Sequence, residues 1–218
     1  MDISIMIPSL AQAAIDTIYM VGFATIFTII FGLPLGILLV ITDKNGLAPL
    51  PFLNKTIGTI VNMARSLPFI ILLVLVIPFT RLVIGTTIGA TAAIVPLSLA
   101  AIPFFARIAE TSLREVDKGL IEAAQAMGCT ICQIIFKVLI PESISSLVLG
   151  VALTIISLIG YSAMAGAIGG GGLGDLAIRY GYQRYETEVM IATVILLIAI
   201  VQVIQLLGDR MAQKMARR

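Results

Sequence analysis

Few residues of this chain could do chemistry, and the patterns they form are short. Cys129 and Cys132 make a C-x-x-C pair, but a redox role needs a βαβ context that the sequence does not predict. Two cysteines and no histidine are too few ligands for a zinc or haem site. Gly169, Gly171 and Gly174 satisfy G-x-G-x-x-G, yet no predicted strand precedes them, so nucleotide binding is not indicated. We therefore expect no catalytic residue and no metal site, with the two thiols reduced and serving as small helix residues.

A polar stretch over 122–141 is the strongest candidate for a binding site. Its first part predicts a short helix over about 119–130, with the candidate residues Glu122, Ala123, Ala124, Met127 and Gly128. The alanines and the methionine offer a small, adaptable surface, and Gly128 would end the helix because glycine adopts a left-handed conformation easily. Such a helix can lie in a groove on another protein. The alternative is an amphipathic helix that only joins two membrane spans.

The composition indicates the environment of this helix. The chain is 59% hydrophobic and 12% charged, against about 45–50% and about 25% in soluble domains. The net charge is +2 without a basic block, so nucleic acid is not an expected partner. The segment between Asp16 and Asp43 is uncharged and exceeds the roughly 20 residues that cross a membrane. Because the first basic residue is Lys44, this segment predicts a retained span rather than a cleaved signal peptide. The chain is expected to be an integral membrane protein.

The hydrophobic runs predict an all-α fold with a single membrane domain over 1–218 and five spanning helices. Their expected bounds are about 14–42, 55–84, 90–114, 139–165 and 188–209. Pro141 should stand in the first turn of the fourth helix, where proline is tolerated best.

The positive-inside rule predicts the orientation of these helices. With the N-terminus outside, only Arg81, Arg179 and Arg184 of the 14 basic residues would face outward. The others would lie on the cytoplasmic side: Lys44, Lys55, Arg65, Arg107, Arg114, Lys118, Lys137, Arg210, Lys214, Arg217 and Arg218. The 115–137 loop and the C-terminus are therefore expected in the cytoplasm.

The outer segment over 163–187 is rich in glycine and tyrosine. It predicts either a flexible turn with interfacial aromatics or a close-packed re-entrant loop at the outer mouth of a pathway. We favour the second interpretation, and its candidate gate or pathway residues are Met164, Gly169, Gly170 and Gly171. Arg65, Arg81 and Arg107 fall near predicted span ends, where they could reach the membrane surface. No buried relay of acidic residues and histidine is predicted, which disfavours proton-coupled transport.

The polar stretch resembles the EAA loop of bacterial ABC-importer permeases. Glu122-Ala123-Ala124 is followed by Gly128 and then by Val138, Ile140 and Pro141 at the spacing of that motif. Three further stretches, over 62–70, 77–81 and 160–174, resemble the permease subunit of methionine ABC importers. The likeness covers nearly all of the chain.

The resemblance implies a type I importer fold in the bacterial cytoplasmic (inner) membrane. It implies that two identical permeases pair about a two-fold axis and that each docks one ATPase subunit through the coupling helix. A substrate-binding protein would dock outside, and the ATPase subunits would use ATP and Mg, since this chain has no P-loop motif. Methionine would then cross by alternating access. The alternatives are an importer permease for another amino acid or small solute, or a channel or secondary transporter without an ATPase.

Overall fold

The computed structural model describes residues 3–216, and the regular secondary structure of this part of the chain is all helical, with no β-strand. The α-helices are α1 (Ile3–Ile41), α2 (Pro51–Ser66), α3 (Phe69–Leu75), α4 (Ile77–Ile84), α5 (Ala90–Arg114), α6 (Lys118–Ala126), α7 (Ile131–Ile134), α8 (Ile140–Gly166), α9 (Gly172–Leu176) and α10 (Thr187–Ala216). Two π-helical turns, Ile135–Leu139 and Ala177–Tyr182, follow α7 and α9. Arg217 and Arg218, which the sequence assigns to the cytoplasmic side, lie outside the described residues.

Four stretches of the described chain are long and apolar enough to cross a membrane: Ile5–Ile41, Ala90–Arg114, Ile131–Gly166 and Thr187–Ala216. The count rises to five if the bent pair α2 and α3 forms one span. Of the most apolar 18-residue segment of α10, only 11% is buried inside the fold. An apolar helix with so little protein cover is stable in lipid rather than in water. The structure is thus that of a multi-pass membrane protein.

The prediction of a single helix over 55–84 is wrong. The chain forms α2, α3 and α4 there, and α2 meets α3 at an angle of 103°. Leu67 is extended, with φ −79° and ψ 126°, because the ring of Pro68 disfavours the helical conformation in the preceding residue. The bend therefore follows from the Leu67–Pro68 dipeptide.

The fourth long helix, α8, begins at Ile140, close to the predicted start near 139, and Pro141 stands in its first turn as predicted. The prediction did not include α7 and the π-helical turn, which extend the helical stretch back to Ile131. A π-helical turn over Ile135–Leu139 comes directly before the proline, and the Ile140 N–H donates to the Ile135 carbonyl. Proline removes a backbone donor and crowds the preceding turn. A widened turn accommodates this defect without breaking the helix.

Close packing of α1 against α5 forms the centre of the bundle. Ala24, Thr28, Gly32 and Gly36 recur at four-residue spacing on α1, and all four are buried. A Cβ added at Gly36 would lie 2.7 Å from the Ala109 Cβ and 2.8 Å from the Ala106 carbonyl oxygen. Small residues at such spacing let two helix backbones approach closely in a membrane. These four residues of α1 and the part of α5 that they contact form what we call the α1–α5 seam. The seam fixes the position of α5, which carries the charged residues described below.

Candidate functional site

The candidate residues lie in two regions, both attached to the central helices. The first is the α6 loop, residues 115–130, which connects α5 to α7. The second is the glycine hairpin, residues 163–182, which comprises the end of α8, the turn after it, α9 and the second π-helical turn. Residues 3–216 hold no group of three or more histidine, cysteine or acidic residues that could bind a metal ion.

The α6 helix is anchored by one face and exposed on the other. Ala124 is 3% exposed and belongs to an apolar cluster with Leu113, Val116, Ile134 and Leu139. Glu122, Ala123 and Met127 are exposed, with Met127 at 77%. The structure thus separates the five predicted residues, because Ala124 holds the helix in place while the exposed three form its outer surface.

Gly128 ends α6 in the left-handed conformation that its sequence position predicts. Its φ is +76°, and the Met127 N–H donates to the Ala123 carbonyl at 3.0 Å. The N–H groups of Gly128 and Cys129 donate to the carbonyls of Gln125 and Ala124, at 2.9 and 3.1 Å. These bonds satisfy carbonyls that the helix end would otherwise leave unpaired.

Three residues that the sequence analysis missed hold the ends of this loop. Asp117 caps α6, since its Oδ1 accepts the Leu120 N–H at 3.3 Å. Thr130 and Gln133 form a reciprocal capping box at the start of α7. Both signals are readable from sequence, as an acidic N-cap and as T-x-x-Q before an apolar run.

The two cysteines lie beside this loop. Cys129 is half-buried against the apolar cluster under α6, whereas Cys132 is exposed in α7. Both thiols are free.

A cleft of about 580 Å³ separates α6 from the turn that follows α1. Its polar lining includes Asp43, Arg114, Lys118, Glu122 and Gln125. Glu122 therefore faces this cleft as well as solvent. Because acidic and basic side chains both line the cleft, its net charge is small.

Asp43 and Arg114, which line this cleft, belong to a group of four charged residues that we call the charge cluster: Asp43, Arg107, Glu110 and Arg114. Glu110 is 6% exposed. Its Oε1 accepts from Arg114 Nη2 at 2.9 Å and its Oε2 pairs with Arg107 Nη1. Arg114 Nη1 reaches Asp43 Oδ2 at 2.7 Å. Arg107 is thus part of an ion-pair network, which the prediction that it could reach the membrane surface did not include.

The electrostatics of Asp43 follow from this arrangement. The hydrogen bond from Arg114 holds the pKa of the Asp43 carboxyl below its usual value, although burial partly opposes this shift. A lowered pKa in the folded state contributes stability above the usual carboxyl pKa of about 4. That contribution is lost as the pH falls through the lowered value. The Asp43–Arg114 pair therefore persists across the neutral range.

The glycine hairpin turns the chain back on itself with very little space. Gly169, Gly171 and Gly172 have φ values of +86°, +76° and +77°. A Cβ on Gly174 would overlap the backbone of Ala163, so α9 packs directly against the end of α8. The predicted re-entrant shape is compatible with this geometry.

Polar contacts fix the hairpin to its neighbours. Thr17 Oγ1 on α1 accepts the Leu173 N–H at 2.9 Å, which caps the start of α9. The Gly89 N–H donates to the Gly169 carbonyl at 2.8 Å and ties the hairpin to the start of α5. Of the four predicted pathway residues, Gly170 is buried against Ala165, and Gly169 and Gly171 shape the turn. Only the Met164 side chain is substantially exposed, at 50%.

Membrane-length helices with a short, anchored and solvent-exposed helix between two of them are compatible with a membrane component of a transport system, and the family comparison assigns this class. The chain belongs to the family described as the binding-protein-dependent transport system inner membrane component, whose model matches residues 32–218. The predicted membership in the importer permeases is confirmed.

Individual relatives are similar over most of their length. The chain is 50% identical over 209 residues to the probable D-methionine transport system permease protein MetI of Vibrio cholerae, covering 96% of this chain and 93% of that protein. It is 47% identical over 172 residues to the methionine import system permease protein MetP of Bacillus subtilis, covering 79% and 78%.

Solved structures confirm the fold. An inward-facing structure of the MetNI methionine ABC transporter contains a chain that matches with a TM-score of 0.96 at 45% identity, covering 99% of both chains. A chain of an amino acid ABC transporter, solved with histidines, matches with a TM-score of 0.72 at 21% identity. The second likeness shows the fold alone. The all-α, type I importer permease fold that the sequence predicts is therefore present.

Proposed function

We propose that this chain is the membrane permease of an ATP-driven importer that moves methionine into the cell by alternating access. The observation that carries the proposal is full-length similarity to proteins described as methionine permeases, together with the near-complete structural match to the MetNI permease. The more distant match to an amino acid transporter shows that this fold alone does not define the cargo. A permease for another amino acid therefore remains the main competing proposal.

Energy would enter through the α6 loop. The chain carries no P-loop motif, so ATP and Mg would be bound by a separate ATPase subunit. The outer surface formed by Glu122, Ala123 and Met127 would contact that subunit, while buried Ala124 and the Gly128 turn hold the surface in position. One such loop per chain requires two copies for two ATPase subunits, most simply in two-fold symmetry.

Charge supports the proposed orientation. The α6 loop and the C-terminal half of α10 carry Lys118, Arg210 and Lys214, and basic residues favour the cytoplasmic side. The N-terminus and the glycine hairpin would then face outward. The hairpin end is where a substrate-binding protein would deliver its cargo.

Reconstitution tests the proposed function directly. The chain is purified with its ATPase and binding protein and placed in vesicles containing ATP. We expect ATP-dependent uptake of labelled methionine that unlabelled methionine suppresses more strongly than other amino acids do. Uptake without an ATPase would indicate a channel or secondary transporter, and preferential uptake of another amino acid would support the competing cargo.

Met164 provides a narrower test of the outer pathway. If its side chain closes the pathway in the resting state, Met164→Ala should raise basal ATP hydrolysis or solute leak at least twofold, because alanine leaves a gap where the thioether packs. The measurement is ATPase activity and vesicle leak without binding protein. Met211→Ala on α10 is the matched control, since Met211 is 51% exposed against 50% for Met164. Equal behaviour of the two variants would make Met164 a packing residue.

A further inference from the structure

The bent pair of α2 and α3 is held in two different ways. α3 is anchored in the main apolar core, where Phe69 and Leu73 are buried and Phe69 stacks on Tyr161 with ring centroids 4.7 Å apart. Among the residues of α2, all of which the structure describes, Val61 is the only buried one. The apolar core therefore holds α3 and contributes little to the position of α2.

Hydrogen bonds, most of them from Arg107 of the charge cluster, hold α2 in place where the apolar core does not. Arg107 donates from Nη2 and Nε to the Asn62 Oδ1 of α2, at 2.9 and 3.3 Å. Its Nη2 also reaches the Gly58 carbonyl of α2 at 3.4 Å. At the other end of α2, the Asn54 amide donates to the Leu39 carbonyl of α1 at 2.7 Å. Hydrogen bonds thus attach α2 to α1 and α5 along its length.

Glu110 is the centre of this attachment. Arg107, Glu110 and Arg114 are spaced three and four residues apart, which places them on one face of α5. The Glu110 carboxylate pairs with both arginines, one through each oxygen. A buried carboxylate is costly unless such partners compensate it, and the two acids and two arginines of the cluster balance. The arrangement orients Arg107 toward α2 and Arg114 toward Asp43.

The cluster also lies next to the α6 loop. α5 ends at Arg114 and α6 begins at Lys118, so Arg114 is separated from α6 by one short turn. Asp43, Arg114, Lys118 and Glu122 line the same cleft. A displacement of α6 can therefore reach the end of α5 that holds the cluster, as well as α7 and the π-helical turn that α6 contacts.

We propose that the charge cluster is the positioning unit that transmits movement of the α6 loop to α2, with Glu110 as its central residue. This inference rests on the proposed function, because it assigns a role within an ATP-driven transport cycle. The hinge is the extended Leu67–Pro68 bend, and α2 moves as an arm on that hinge while α3 stays in the core. Glu110 acts through Arg107 and touches neither the solute nor the ATPase.

Uptake per ATP hydrolysed is the measurement that separates this role from a purely structural one. In the reconstituted complex of the chain, its ATPase and its binding protein, Glu110→Gln should leave ATP hydrolysis within about twofold of the wild type. Methionine taken up per ATP should fall at least tenfold. The matched control is Glu142→Gln, since Glu142 is exposed on α8 and makes no ion pair among the described residues. It should behave as the wild type.

A rescue variant tests the contact itself. Asn62→Asp puts a carboxylate where two nitrogens of Arg107 already point. In the Glu110→Gln background it should restore at least a third of the wild-type uptake per ATP. Asn62→Ala changes an exposed residue and removes its two hydrogen bonds with Arg107, leaving only the longer contact with the Gly58 carbonyl. It should uncouple transport even if Glu110→Gln fails to assemble.

The outcomes divide clearly. Normal uptake per ATP in Glu110→Gln or in Asn62→Ala would overturn the inference. So would a parallel fall of uptake and hydrolysis in an Asn62→Ala complex that assembles, because that pattern indicates a structural role only. If the wild-type complex shows no ATP-dependent methionine uptake, the proposed function fails instead, and the two failures are distinguishable.

Discussion

Replacing Gly128 by valine is expected to uncouple transport from ATP hydrolysis while leaving the permease in the membrane. The glycine has a φ of +76°, and a β-branched residue is strongly strained in that conformation. Space is not the obstacle, because a Cβ at this position has no heavy atom within 4 Å. The strain would unwind the turn between α6 and α7 and misplace the surface of Glu122, Ala123 and Met127. We expect at least tenfold less methionine uptake, with membrane insertion unchanged.

Gly128→Asn is the control for this experiment. Asparagine adopts the left-handed conformation far more readily than valine does, so it keeps the turn while adding a side chain of similar size. It should retain most of the uptake. Wild-type uptake in Gly128→Val would remove the turn from the coupling mechanism, and equal loss in both variants would indicate that side-chain volume at the docking surface matters instead of backbone conformation.

Local signals in the sequence predict the α6 region well. Gly128 is recognisable as a helix end because few other residues adopt its conformation. The apolar runs identify the membrane fold because lipid tolerates little else over such lengths. The prediction failed where a single proline acts on a continuous run. The sequence between 55 and 84 is apolar enough for one helix, yet Leu67–Pro68 bends it. Pro141 lies in the first turn of α8 as predicted, but the π-helical turn before it was not predicted.

The charge cluster was beyond the reach of local patterns for a different reason. The spacing of Arg107, Glu110 and Arg114 is visible in the sequence and indicates a shared helix face. Their partners Asp43 and Asn62 are distant along the chain, and only the packing of α1 and α2 on α5 brings them together. A charge near a predicted span end has two interpretations, exposure at the membrane surface or a buried pair. The three-dimensional contacts decide between them.

The α1–α5 seam is the feature on which the cluster depends, and Gly36→Val should disrupt it. Its Cβ would lie 2.7 Å from the Ala109 Cβ and 3.1 Å from the Glu110 backbone nitrogen. Backbone atoms cannot rotate away, so α1 and α5 must separate. Overpacking of this kind costs about 1–3 kcal/mol, or more where backbone has to move. At about 2–4 °C per kcal/mol for a chain of this size, we expect the melting temperature of the purified permease to fall by roughly 5 °C or more.

Gly22→Val makes the same change on the same helix without the contact. No heavy atom lies within 4 Å of a Cβ at Gly22, which borders an open cleft of about 290 Å³. Because both variants place valine in α1, any difference between them measures the seam and not the helix propensity of valine. The melting temperature of Gly22→Val should stay within about 2 °C of the wild type, since surface changes usually alter stability by less than about 0.5 kcal/mol. If both variants melt together, α1 and α5 are more compliant than the structure indicates, and the seam cannot be what places Glu110 between its two arginines.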